Sequence, residues 1–100
     1  MVRKIFILQT ILEKTMKEVM EERSEIQQYI AFTLKFSSFT ELNATLFNTE
    51  DGNGFEEFMK ELIDMSDTVV VQSGYEVSEL CRNLYYYAEA QKKEIYVREN

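Results

Sequence analysis

One hundred residues with 18 acidic and 11 basic side chains, a formal charge of −7 and a pI near 4.6, describe one domain with a modest core and an acidic surface. Such a surface repels a phosphate backbone, so nucleic acid is not an expected partner. The single cysteine, Cys81, allows no internal disulfide and suits a reducing compartment; with no histidine in the chain, zinc lacks ligands, and neither a metal nor a cofactor is expected.

Lys4 to Leu8 opens the chain as a continuous apolar run, the pattern of a strand covered on both faces. It is too short for a signal peptide or a membrane span, so a cytoplasmic protein with no membrane partner is expected. Gln9 to Lys14 reads as a loop or loose first turn. Two capping boxes compete there, Thr10 with Glu13 and Thr15 with Glu18. The helix that follows runs through Met16, Val19, Met20, Ile26 and Ile30, with Glu18, Glu21, Glu22 and Glu25 on its wet side.

Phe32 to Ser37 switches from helical spacing to alternation, with apolar residues at 32, 34 and 36, which predicts an edge strand. Glu41 to Asn53 is the longest irregular stretch. Asn43-Ala44-Thr45 inside it matches a glycosylation sequon, without meaning in a cytoplasmic protein. Asp51-Gly52-Asn53-Gly54 imitates part of a calcium loop, but the register puts Thr49 and Lys60 at the first and last ligand positions, so a turn is the better reading. Asn53 with Glu56 can cap a helix whose Phe55, Phe58, Met59, Leu62 and Ile63 make an apolar stripe.

Asp67 to Arg82 is the stretch around which the chain is organised. Thr68-Val69-Val70-Val71 is β-branched without alternation, a second central strand. Gly74 breaks it, and Ser73 with Glu76 forms a box that would start a helix carrying Val77, Leu80, Cys81, Leu84, Tyr87 and Ala88 on one face. The helix should end near Lys92-Lys93, before a short edge strand at Ile95-Tyr96-Val97. The order is β-α-β-α-β-α-β. Right-handed crossovers and two central strands then give a small three-layer α/β fold, a doubly wound parallel sheet of order 2-1-3-4. Ligands of such sheets sit at the carboxyl ends of the strands that flank the reversal. Gln9, Thr10, Ser73, Gly74, Tyr75, Glu76, Ser78 and Arg82 are therefore expected around one pocket, with backbone amides and Arg82 facing a phosphate. Surface pairing of Arg82 with Glu79 or Glu89 is the competing expectation. Cys81, with no histidine to activate it, reads as a small hydrophobe.

The opening KIFILQT with EKTMKEVMEER, and the closing MSDTVVVQSGYEVSELCRNLYYYAEAQKKEIY, resemble a small, largely phage-borne family of unknown function related to the nucleoside 2-deoxyribosyltransferases. Gly74, Ser78, Cys81 and Ala88 fall in register, Tyr75 stands where that family has tryptophan, and Phe32 to Gly54 is unmatched. The resemblance implies a flavodoxin-like, deoxyribosyltransferase-like fold and a pocket for a nucleotide or nucleoside derivative. It also implies degeneration, because Leu84 occupies the place of the nucleophilic glutamate and a leucine cannot attack an anomeric carbon. Leu80 and Thr10 replace the family's glycine and proline. No catalytic residue is therefore assigned, and the implied role is a phage anti-defence sponge that sequesters a nucleotide signal in the host cytoplasm. The alternatives are an active N-glycosidase or deoxyribosyltransferase using Glu76, and an interaction module without a ligand. Tyr85 and Tyr86 point away from the apolar face of the last helix, and the resemblance implies a homodimer or larger homo-oligomer with these two tyrosines in its interface.

Overall fold

A computed structural model describes residues 2–10, 13–36, 38–42 and 55–99, with Phe55 described by its backbone alone. The strands are β1 (Arg3–Leu8), β2 (Phe39–Glu41), β3 (Thr68–Gln72) and β4 (Glu94–Arg98). They form one parallel sheet in the order β2-β1-β3-β4, as the burial pattern of the sequence predicts. The helices are α1 (Met16–Gln28), α2 (Phe55–Met65) and α3 (Glu79–Ala90). Phe6, Leu8, Val69 and Val71 point to one face, where Met59 and Ile63 of α2 and Cys81, Leu84 and Ala88 of α3 cover them. Ile5, Ile7 and Val70 point to the other, beneath Ile26 and Ile30. Among the described residues, one face thus has two helices and the other has one.

α1 begins where the second capping box predicts. Thr15 Oγ1 accepts from Glu18 N (3.1 Å) and Glu18 Oε1 accepts from Thr15 N (2.8 Å). Met16 and Met20 are exposed, and the buried positions are Val19, Arg23 and Ile26. Of the acids expected on the wet face, Glu18 closes the cap, Glu22 accepts from Lys14 Nζ at 2.6 Å, and Glu25 meets Arg98 at 3.2 Å.

The expected strand over Phe32 to Ser37 is not one. The helix instead widens into a π-helical turn, Tyr29–Thr33, in which Leu34 N donates to Tyr29 O (3.1 Å). Lys35 takes a left-handed φ of 62°, and Phe36 N closes on Ile30 O (3.1 Å). The apolar alternation has another cause: Leu34 and Phe36 fold back over the Ile5, Ile7 and Val70 face, whereas Phe32 is 76% exposed. The edge strand comes after that segment, at Phe39–Glu41, so Glu41 belongs to the sheet and not to an irregular stretch. The sequon, the Asp51 to Gly54 turn and the Asn53 cap lie outside the described residues. Of the α2 stripe, Met59 and Ile63 are buried and Leu62 is partly so, while Phe58 is exposed.

α3 does not start at a Ser73 box. Gly74 adopts φ 95°, a conformation that costs glycine little, and Tyr75–Val77 then forms a 3-10 turn that leaves Val77 exposed. The N-cap is Ser78, whose Oγ accepts from Cys81 N at 3.2 Å. At the far end α3 stops at Ala90, and Lys92 turns left-handed at φ 61°. Lys93 serves the neighbouring helix: its Nζ donates to Asp64 O and Ser66 O, both at 3.0 Å, at the carboxyl end of α2.

Arg23 is 6% exposed, and its Nε donates to Gln9 Oε1 (2.9 Å) while Nη1 donates to Glu41 Oε2. Burial pulls the guanidinium's pKa below its ordinary value, and Glu41 opposes that pull. Removing Glu41 leaves a buried cation without its counter-charge. Because Glu41 itself keeps some solvent contact, Glu41→Ala is expected to cost roughly 2–3 kcal/mol in urea unfolding, near the lower end for a broken buried pair. Replacing both partners, Arg23→Met with Glu41→Leu, should recover at least half of that loss.

Candidate functional site

The strand order reverses between β1 and β3, so the β1–α1 loop and the β3–α3 loop leave the sheet side by side, one toward each face. The structure joins them through hydroxyl and thiol groups. Thr10, buried on the first loop, lies within hydrogen-bonding reach of the Cys81 thiol, and so does Ser78, the buried cap of α3. Burial pushes the Cys81 thiol up from its usual pKa, and the Ser78 and Thr10 hydroxyls and the Lys14 charge only partly offset this. At neutral pH Cys81 is a protonated thiol packed in the apolar cluster. It is a poor nucleophile.

The remaining expected residues divide. Ser73 is half-buried, Gly74 and Glu76 are exposed, and Tyr75 stacks on Tyr85 with ring centroids 4.9 Å apart. Arg82 turns back to the loop, where its Nη1 donates to the Glu76 backbone carbonyl. It therefore fixes the turn from which it would reach a ligand. Gln9 faces the other way, under α1: its Nε2 donates to Val19 O (3.1 Å) and Glu22 Oε1 (2.8 Å), and its Oε1 accepts from Arg23. Thr10, Ser78 and Cys81 form the joint between the loops, Tyr75, Glu76 and Arg82 form its rim, and Gln9 anchors it from below.

Two features escaped sequence reasoning. Arg23 sits among the glutamates of a helix that reads as solvated, and only a buried polar position on the Val19, Ile26 stripe distinguishes it. An open depression of about 410 Å³, lined by Glu25, Gln28, Tyr29, Phe32, Thr33 and Arg98, lies between α1, the turn after it and the carboxyl end of β4, and none of the expected site residues lines it. It follows from the π-helical turn, which the alternation concealed. Tyr85, expected at an oligomer interface, is half-buried against Tyr75 of its own chain; Tyr86 meets Tyr85 edge-on at 5.8 Å and is 61% exposed.

Among the described residues, no group of three or more cysteine and acidic side chains is placed to hold a metal ion, and no helix is long and apolar enough to cross a membrane. Comparison with protein-family models, curated proteins and solved structures gives no match.

The Cys81 environment makes a direct prediction. Native protein should react with a thiol-specific disulfide reagent only as fast as α3 opens, and mild urea should accelerate labelling in step with unfolding. Immediate labelling of the native protein at neutral pH would show an accessible, activated thiol.

Proposed function

We propose that this protein binds a nucleotide or nucleoside derivative at the carboxyl ends of β1 and β3 and holds it without transferring its sugar. The observation that carries the reading is the junction at the strand-order reversal. Two buried hydroxyls, Thr10 and Ser78, each reach the Cys81 thiol there at the start of a capped helix, next to the exposed turn at Gly74. Backbone amides at the amino end of α3 suit a phosphate or another anionic group, and the Tyr75 ring beside them suits a base. The doubly wound order 2-1-3-4 supports a flavodoxin-like, deoxyribosyltransferase-like version of the fold.

Chemistry at the sugar needs a carboxylate directed into the site. Leu84, which stands in that place by resemblance, is 1% exposed in the cluster with Phe6, Leu8 and Val71. Glu76 lies on the exposed turn, where its backbone carbonyl is already engaged by Arg82. Retention without turnover is the behaviour of a sponge, and the proposed role is sequestration of a nucleotide signal in a host cytoplasm.

A thermal-shift screen with nucleosides, 5′-mononucleotides, cyclic oligonucleotides and NAD-derived sugars tests the reading. A ligand present at about one hundred times its Kd should raise Tm by roughly 10 °C or more in a domain of this size. Thr10→Val should weaken the shift while leaving the unliganded Tm within a few degrees. Release of free base from deoxynucleosides or deoxynucleotides would overturn the non-catalytic reading, and a flat screen would remove the ligand. Leu84→Glu should not install catalysis. It buries a carboxylate among apolar side chains and is expected to cost roughly 4 kcal/mol.

A further inference from the structure

The open depression between α1, the turn after it and β4 has about 410 Å³, the size of a small-molecule site, and it shares no residue with the β1–β3 junction. One wall is a single helical face. Gln28 and Phe32 stand one turn apart on it, and so do Tyr29 and Thr33. The π-helical turn Tyr29–Thr33 shapes this wall, and such turns are frequent at functional sites. With it in place, Phe32 lies outside the core that takes Leu34 and Phe36. Phe32 is 76% exposed, more than any other large apolar side chain among the described residues.

The charges in the depression are settled within the chain. Arg98 Nη1 donates to Gln72 Oε1 and Arg98 Nη2 meets Glu25 Oε1 at 3.2 Å, so cation and carboxylate answer each other and leave no net charge to choose an ion. Two uncharged polar groups remain. Among the described residues, the Gln28 side-chain amide and the Thr33 hydroxyl have no hydrogen-bond partner in the chain, and both line the depression with Phe32. A ring face open for stacking and, one turn away, an amide that donates and accepts through adjacent atoms are together the chemistry that reads an unpaired base. An aliphatic ligand would leave the amide idle, an ion would find no counter-charge, and a polynucleotide is repelled by the charge of −7. We infer that the depression binds an uncharged planar heterocycle of the adenine type, stacked on Phe32 and read at its edge by Gln28. Gln28 Nε2 donates to N7 of the ring and its Oε1 accepts from the 6-amino group. The site lies apart from the one proposed at β1 and β3, and neither needs the other.

Adenosine, which is uncharged, is the probe. Followed by nuclear magnetic resonance up to about 10 mM, it should shift the amide signals of residues 28–33 along a saturable curve, with a Kd on the order of 1 mM for one stacked base with two hydrogen bonds. Phe32→Ala should weaken binding at least ten-fold. Gln28→Ala should weaken it roughly five-fold and erase the preference for adenosine over purine riboside, which lacks the 6-amino donor. Both side chains are exposed, so circular dichroism should be unchanged in either variant. Thr10→Val should leave these shifts as they are. Absence of a saturable shift at residues 28–33, equal affinity for adenosine and purine riboside in the unmodified protein, or indifference to Phe32→Ala would each overturn the inference. Adenosine binding that survives Phe32→Ala and is lost in Thr10→Val would assign the ligand to the β1–β3 junction and overturn this site alone.

Discussion

Burial of β1 and β3 on both faces is the constraint on which the rest of this structure depends. Ile5, Phe6, Ile7 and Leu8 and Val69, Val70 and Val71 lie side by side, and no single layer of helices can keep both sets from water. The chain answers with three crossovers, and α2 and α3 take one face. Among the described residues, the opposite face receives α1 and the segment that folds back after it. Leu34 and Phe36 lie over Val70 in place of a further helix, Phe36 meets Tyr96 edge-on at 6.0 Å, and Arg3 sits 4.1 Å above the Phe36 ring.

Where that cover thins, polar networks replace apolar packing. On the β2 side, Arg23 joins Gln9 and Glu41 beneath α1, tying the carboxyl ends of β1 and β2 to the helix between them. On the β4 side, Arg3 Nη1 donates to Thr68 Oγ1 (2.9 Å) and Glu94 Oε1 (2.6 Å), and Arg98 Nη1 donates to Gln72 Oε1 (2.6 Å). Hydrogen bonds from Tyr96, Thr68 and Arg3 hold the Glu94 carboxyl below its ordinary pKa, against a smaller effect of burial. These contacts are directional where hydrophobic contacts are not. They fix the register of a sheet whose central strands would slide on apolar packing alone.

The strand order and the central position of β1 and β3 are legible in the sequence because continuous apolar runs have one use in a small α/β domain. The Thr15 cap is legible for a similar reason: both halves of its box are present, and the Val19, Ile26, Ile30 spacing starts from it. The segment from Tyr29 to Phe36 is not legible. Its alternation is real, but a π-helical turn and a left-handed Lys35 produce it by bending the chain, and period alone does not separate bending from extension. At the candidate site the residue types are legible and their directions are not. Gln9 and Thr10 are neighbours, yet one is directed under α1 and the other toward Cys81. Ser73 and Ser78 are equivalent as cap residues, and only the turn following Gly74 decides between them.

The placement of β1 also has a kinetic side. Arg3–Leu8 is made well before β3, yet its longer ladder is with that strand, in a register that begins at Ile5 with Thr68. At about 5–20 residues per second the missing strand follows only after several seconds. During that interval four consecutive apolar residues of the nascent chain have neither a neighbour on one edge nor helices on both faces. A parallel sheet nucleated this late folds slowly for its size. A segment that ends buried on both faces of the sheet is, in the nascent chain, an exposed apolar target for chaperones.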